Sequence, residues 1–147
     1  MGSSEIVRSA LSAVEQGDFD RIAGFLAEDF TFTGPVPMPL AKREFLGLVR
    51  GLVAGIPNWR FNTHGWQETG DSVSVKVRIT GTHTGELPGL MPGMPAAAAT
   101  NKSFALPEEC MEFQFRGGKI ARFQVDPVPN GGVAGILQQL GIAVPVR

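Results

Sequence analysis

The sequence predicts an α+β fold in which three N-terminal helices precede a run of antiparallel hairpins, and a short helix closes the chain. Apolar residues recur every three or four positions in the first third, as in amphipathic helices, and mostly every second position afterwards, as in strands. Helices segregated from a run of hairpins are typical of this class. The chain of 147 residues has the length of one domain, predicted over residues 1–147.

Three helical patterns and one strand make up the first third of the chain. Glu5–Gln16 has an apolar stripe at helical spacing, and Gly17 is suited to end that helix. Asp18 is a suitable N-cap for a second, shorter helix. Asp29–Thr33 alternates in polarity and predicts a short strand, after which Ala41–Gly55 repeats the helical pattern.

The remainder of the chain predicts four strands and a closing helix. Their β-rich alternation and the glycine-containing turns between them indicate two hairpins. The predicted strands are Arg60–Glu68, Ser72–Thr84, Ser103–Arg116 and Lys119–Asp126, and the helix is Val133–Leu140.

A long connection, Gly85–Thr100, joins the two hairpins and is rich in proline, glycine and apolar residues. A loop of this length in a small domain is usually functional or mobile. Met91 and Met94 within it are candidates to cap a hydrophobic ligand, because methionine adapts to varied shapes.

The Gly117-Gly118 turn allows the register of the second hairpin to be predicted. With these two residues as the loop, Phe115 lies opposite Ile120 on an inner face, and Glu109 lies opposite Asp126 at its far end. Two opposed carboxylates raise one of their pKa values, which suits proton transfer near neutral pH. Because a slip of one residue inverts every side chain, the same pattern leaves open whether Glu108 or Glu109 faces inward.

The first hairpin can be treated in the same way, with Gly70-Asp71 as its loop. His64 then lies opposite Val77, and both histidines of the chain fall on the inner face. The polar and aromatic residues predicted on this face are Asn62, His64, Trp66 and His83.

Composition excludes several classes of protein. A net charge of −1 without a basic stripe argues against nucleic-acid binding, and no apolar stretch is long enough to span a membrane. The N-terminus lacks the pattern of a signal peptide, and one cysteine cannot form an internal disulfide, so we expect a cytoplasmic location. One cysteine and two histidines give no spacing for structural zinc.

Three segments resemble the SnoaL-like polyketide cyclase family, in the superfamily of cone-shaped proteins named for nuclear transport factor 2. Gly81–Glu86 is similar to its Gly-Thr-His-x-Gly segment, and Phe115–Ile120 to its Arg-Phe-x-x-Gly-Lys-Ile hairpin. Gly135–Gly141 is similar to its closing Leu-x-Gln-Leu-Gly helix. The resemblance covers nearly the whole chain.

The resemblance implies a cone-shaped, curved antiparallel sheet wrapped around the three N-terminal helices, with an apolar interior pocket, often in a homodimer. It also implies ring closure by intramolecular aldol condensation without a metal or cofactor. It also implies an aspartate acid/base shortly after the Gly-Lys-Ile strand, and Asp126 is the best match. The chain departs from the family in two ways: Gln124 stands where the family usually has tryptophan, and Pro127–Gly132 looks like an insertion before the closing helix.

These considerations lead to one hypothesis for the site. Asp126 moves a proton α to a carbonyl of a small apolar molecule, Glu109 tunes its pKa, and His83 donates a hydrogen bond to the developing oxyanion. The chain has no tyrosine, so no phenol serves as that donor. The predicted pocket wall comprises His64, Trp66, Asn62, Phe32, Phe61, Phe113, Met111, Gln124, Met91 and Met94.

Two alternatives stay open at this point. One is a non-catalytic protein that binds a hydrophobic small molecule, or a dimeric accessory protein. The other keeps an enzyme but changes the reaction to that of an isomerase, a dehydratase or an epoxide hydrolase, because one fold carries many chemistries.

Overall fold

The computed structural model describes residues 2–34, 39–88, 96–126 and 128–142. Four helices and eight strands occur in these ranges. In chain order they are α1 (Ser3–Gln16), α2 (Phe19–Phe25), β1 (Leu26–Thr33), β2 (Leu40–Ala41), α3 (Lys42–Gly55), β3 (His64–Thr69), β4 (Ser72–Val77), β5 (Thr80–Thr82), β6 (Ser103–Ala105), β7 (Glu109–Arg116), β8 (Lys119–Val125) and α4 (Gly132–Leu140). The predicted α+β class and the three helices before the hairpins are confirmed.

The helices begin and end where their terminal residues satisfy the backbone. The side chain of Asp18 accepts a hydrogen bond from the backbone N–H of Arg21, which caps α2 as predicted. Gly17 ends α1 with a left-handed φ of 72°, a conformation that costs glycine little. The apolar stripes of α1 and α3 are buried in the core.

Six strands form one sheet in the order β2-β1-β8-β7-β4-β3, and β5 pairs with β6 in a second sheet. The larger sheet is curled and does not close. The sequence predicted an antiparallel sheet. The observed sheet is mixed, because β1 and β8 pair in parallel. Two predicted long strands are each divided, one between β4 and β5 and the other between β6 and β7.

The hairpin of β7 and β8 has the predicted turn but not the predicted register along its whole length. Both turn glycines have positive φ angles, and Phe115 lies opposite Ile120 as expected. Gln114 then lies opposite Arg122, so Ala121 is an extra residue on β8. This β-bulge moves every later pair by one residue, and the predicted pairing of Glu109 with Asp126 is wrong.

The hairpin of β3 and β4 shows a second register shift. Thr69 lies opposite Ser72, in agreement with the prediction, but His64 lies opposite Lys76 instead of Val77. The shift falls on the three-residue step from His64 to Gln67, where Gly65 has a positive φ of 64°. As a result, the predicted inward orientation of His64 is wrong, and its side chain is half exposed.

No helix in the described ranges is both long and apolar enough to cross a membrane.

Candidate functional site

A cavity of about 120 Å³ lies between the helices and the curled sheet. All four helices and the strands β1, β7 and β8 contribute side chains to its wall, and the segment between α3 and β3 contributes Trp59 and Phe61. Among the described residues that line it, Glu109 is the only one with an ionisable side chain. The cavity is therefore an apolar space that contains a single carboxyl group.

Glu109 reaches the cavity because β7 alternates strictly between the two faces of the sheet. Glu109, Met111, Phe113 and Phe115 are buried, whereas the residues between them are exposed or half buried. Glu109 is 2% exposed, and its backbone lies opposite Val77 of β4. The structure thus places Glu109 inside the protein and resolves the choice between Glu108 and Glu109.

The two oxygens of the Glu109 carboxyl have different surroundings. Oε2 lies beside the start of α4, so close that a Cβ atom added to Gly131 would be 3.2 Å from it. Oε1 is buried and has no hydrogen-bond partner in the part of the chain that the structure describes. An unpartnered oxygen of a buried carboxyl is costly, and such atoms are often functional.

Burial raises the pKa of the Glu109 carboxyl above its ordinary value, because an apolar environment disfavours the charged form. The backbone N–H of Gly132 partly counters this shift by stabilising the carboxylate. The first turn of α4 also stabilises the carboxylate and so lowers the pKa, since the N-terminus of a helix favours negative charge. A buried carboxyl with a raised pKa is a candidate proton donor or acceptor.

Trp59 also lines the cavity and carries a buried polar atom, and the sequence pattern did not single it out. Its side chain is 6% exposed, and its indole Nε1 is buried with no hydrogen-bond partner among the residues described. The sequence signal for Trp59 was its alternation with Phe61, which indicates that both side chains face inward. Trp59 itself lies one residue before the predicted strand Arg60–Glu68.

The structure places Asp126 away from the cavity. Val125 is buried and lines the wall, so Asp126, the next residue, points to the other face. Its backbone N–H donates a hydrogen bond to the carbonyl oxygen of Cys110. The side chain of Cys110 points to the face of the sheet opposite that of its neighbour Glu109. The predicted convergence of Asp126 with Glu109 therefore does not occur, and the reason is the bulge at Ala121.

Cys110, Glu112 and Asp126 instead form a cluster on the outer face of the sheet. Their ligand atoms lie within 4.8 Å of one another, which is compatible with a metal ion. Burial and the neighbouring carboxylates raise the pKa of the Cys110 thiol, and this opposes formation of the thiolate that binds metals.

His83 is fully buried but is not part of the cavity wall. Its Nδ1 accepts a hydrogen bond from the backbone N–H of Thr100 at 3.2 Å and is 3.0 Å from the hydroxyl of the same residue. Burial lowers the pKa of His83, which favours the neutral ring. These contacts hold the ends of the connection between β5 and β6 together.

The other predicted pocket residues divide into three groups. Phe32, Phe61, Phe113 and Met111 line the cavity. Asn62 and Trp66 line a separate groove beside α1, Gln124 is half buried outside the cavity wall, and His64 pairs with Glu108 at 2.8 Å on the outer face. Met91 and Met94 lie outside the described residues.

Comparison with known proteins places this chain in a family. The model of the SnoaL-like domain matches residues 7–123, which is most of the chain. The protein belongs to the SnoaL-like family, and the predicted resemblance is confirmed. No curated protein matches the chain by sequence.

Solved structures agree with this assignment at the level of the fold. IdmH, a candidate polyketide cyclase from Streptomyces antibioticus, is 22% identical with a TM-score of 0.71, over 95% of this chain and 98% of that one. A candidate SnoaL-like polyketide cyclase from Jannaschia sp. CCS1 is 16% identical with a TM-score of 0.73, over 97% and 92%.

A third structure, a hypothetical protein from Catenulispora acidiphila with a ketosteroid isomerase-like fold, was solved in complex with trimethylamine. It is 18% identical with a TM-score of 0.69, over 97% of this chain and 96% of that one. At these identities the likenesses show a shared fold.

Proposed function

We propose that this protein is a cofactor-independent enzyme that moves a proton at the carbon α to the carbonyl of a small apolar compound, with Glu109 as the acid/base. The observation that carries the proposal is the buried carboxyl of Glu109 beside an otherwise apolar cavity, with no hydrogen-bond partner for its Oε1 among the residues described. Glu109 takes the acid/base role that the sequence analysis assigned to Asp126.

The proposed step needs only the substrate and this carboxylate. The Glu109 carboxylate removes the α proton, and the electron pair of the broken C–H bond forms a carbon–carbon double bond. The π pair of the carbonyl moves to its oxygen, which gives an enolate. Return of the proton from Glu109 to carbon regenerates the carboxylate, so atoms and charge balance over the cycle.

The raised pKa of Glu109 supports this role. A carboxylate with an ordinary pKa is a weak base for a carbon acid, and a higher pKa increases the driving force for proton removal. Intramolecular aldol closure starts with the same abstraction, and two proteins with this fold are candidate polyketide cyclases.

The cavity restricts the substrates that fit without rearrangement. An engineered apolar cavity of about 150 Å³ in another protein binds benzene, so a cavity of about 120 Å³ suits a ligand of similar size. An apolar wall favours hydrocarbon rings and chains over charged compounds. Cyclohexanone combines that size with an enolisable carbonyl and is a suitable probe.

The experiment measures hydrogen–deuterium exchange at the α carbons of cyclohexanone in D₂O by proton NMR. We expect the wild-type protein to accelerate exchange above buffer, and Glu109→Gln to lose at least about 100-fold of that acceleration, as removal of an acid/base group does. Glu108→Gln is the matched control, because Glu108 pairs with His64 and Arg78 on the outer face.

Asp126→Asn provides the decisive comparison with the sequence-based hypothesis. If Asp126→Asn abolishes exchange and Glu109→Gln does not, the acid/base assignment to Glu109 is wrong. Binding of cyclohexanone with no exchange above that of Glu109→Gln would instead favour a non-catalytic protein that binds apolar molecules.

A further inference from the structure

Trp59 is the only other residue of the described cavity wall whose side chain has a buried, unpartnered polar atom. We infer that the indole Nε1–H of Trp59 donates the hydrogen bond that binds the carbonyl oxygen of the ligand. The cavity would then select neutral carbonyl compounds over hydrocarbons of the same shape. This inference deepens the proposed function and rests on it for the identity of the reaction.

The indole ring is held in place by other aromatic rings. Its centroid lies 5.9 Å from that of Phe61, at an interplanar angle of 72°, and 6.1 Å from that of Phe104. Edge-to-face packing of this kind stabilises one orientation of a ring. The N–H therefore keeps one direction, and donating to a ligand does not carry the entropic cost of ordering a flexible side chain.

An indole N–H is a donor and never an acceptor, so its partner must carry a lone pair. Leaving such a donor buried and unpaired is unfavourable, and a ligand oxygen relieves that cost. A neutral carbonyl satisfies the donor, whereas a carboxylate ligand would bring a second negative charge into the cavity that contains Glu109.

The other donors considered in the sequence analysis lie elsewhere. His83 uses its Nδ1 to contact Thr100 and does not line the cavity. Trp66 lines the groove beside α1, where the guanidinium of Arg8 lies 4.1 Å from the centroid of its ring. The chain has no tyrosine. Trp59 is therefore the donor that this architecture offers to an oxygen in the cavity.

The test compares two ligands that differ in one group. Cyclohexanone and methylenecyclohexane have the same ring, but the second has a CH₂ group where the first has the acceptor oxygen. The chain has two tryptophans, and Trp66→Phe leaves Trp59 as the sole source of an indole N–H signal and of indole fluorescence. In this variant, fluorescence measures the binding of either ligand, and NMR reports the hydrogen bond at Trp59.

We expect cyclohexanone to move the Trp59 N–H proton downfield and methylenecyclohexane to bind without that shift. In Trp59→Phe, followed by ligand-induced change in thermal unfolding, cyclohexanone binding weakens about 3- to 10-fold and methylenecyclohexane binding changes less than about 2-fold. If Trp59→Phe does not fold, the titration of Trp66→Phe alone decides. No downfield shift with cyclohexanone, or an equal shift with both ligands, overturns the inference.

Glu109→Gln separates this inference from the proposed function. A downfield shift without α-proton exchange in any variant means that Trp59 binds the carbonyl while the proposed reaction is wrong. Exchange that depends on Glu109 without the shift means that the reaction is right and the assignment to Trp59 is wrong.

Discussion

At the scale of single residues, Glu109 combines burial, charge and an unpartnered oxygen. A carboxyl with a raised native pKa binds its proton more tightly in the folded than in the unfolded protein. Its stabilising contribution is therefore fully present below the unfolded pKa and is lost as the pH rises through the native pKa. Above that range, the charged form of Glu109 lowers the free energy of unfolding.

We predict that Glu109→Gln raises the melting temperature near pH 8 and has a smaller effect near pH 4. The neutral amide removes a buried charge, and relief of one poorly satisfied polar group is worth about 1 kcal/mol. At this chain length that corresponds to about 2–4 °C. Differential scanning calorimetry across this pH range measures the effect.

Glu108→Gln is the control for this prediction, because Glu108 is exposed on the outer face and its ion pairs contribute little. An unchanged or lower melting temperature of Glu109→Gln at pH 8 would contradict the argument that burial of this charge is unfavourable.

At the scale of elements, one residue of β8 decides whether Asp126 faces the cavity together with Glu109. Ala121 is the extra residue, so Phe123 and Val125 face inward and Asp126 faces outward. The sequence contained a signal for this shift. Ile120 and Phe123 are both apolar but stand three positions apart, which a regular strand cannot place on one face.

Two helical glycines, Gly47 and Gly135, are expected to respond in opposite ways to substitution by alanine. A Cβ added to Gly47 of α3 meets nothing within 4 Å, so Gly47→Ala raises the free energy of unfolding by about 0.5–1 kcal/mol. A Cβ added to Gly135 of α4 would lie 2.1 Å from the carbonyl oxygen of Asn130, so Gly135→Ala lowers it by about 1–3 kcal/mol. Urea denaturation measures both, and equal effects would contradict the packing of α4.

At the scale of the whole molecule, the cavity exists because helices and a curled sheet leave space between their apolar faces. No single element encloses it, since its wall combines residues from α1 through α4. The apolar wall resembles a core in composition, and the Glu109 carboxyl distinguishes it from one. The homodimer implied by the family resemblance stays a prediction.

We predict that Ala10→Leu fills the cavity and abolishes ligand binding while the protein stays folded. Ala10 lines the cavity, so the three added carbon atoms occupy existing space. Cyclohexanone raises the melting temperature of the wild type because it binds preferentially to the native state. We expect no such increase in Ala10→Leu.

Ala13→Leu is the matched control on the same helix. Ala13 is fully buried and does not line the cavity, so the same substitution overpacks the core and costs about 1–3 kcal/mol. If Ala10→Leu destabilises as much as Ala13→Leu, the space beside Ala10 is not available to a ligand.

The sequence by itself determined the fold class, the order of the helices and hairpins, and much of the aromatic wall of the cavity. These features depend on local periodicity, on caps such as Asp18 and on the Gly117-Gly118 turn, all of which act within a few residues. The family resemblance rested on the same local segments.

Only the tertiary structure decided which polar groups meet at the cavity. The shift at Ala121 turned Asp126 outward and the shift near Gly65 turned His64 outward, whereas Glu109 stayed inside with Trp59 beside the same space. The physical reason is that side chains alternate along a strand, so one extra residue inverts all that follow. The bulge on β8 also has to fit the parallel pairing with β1, which lies far away in the sequence and whose register shifts over the same stretch.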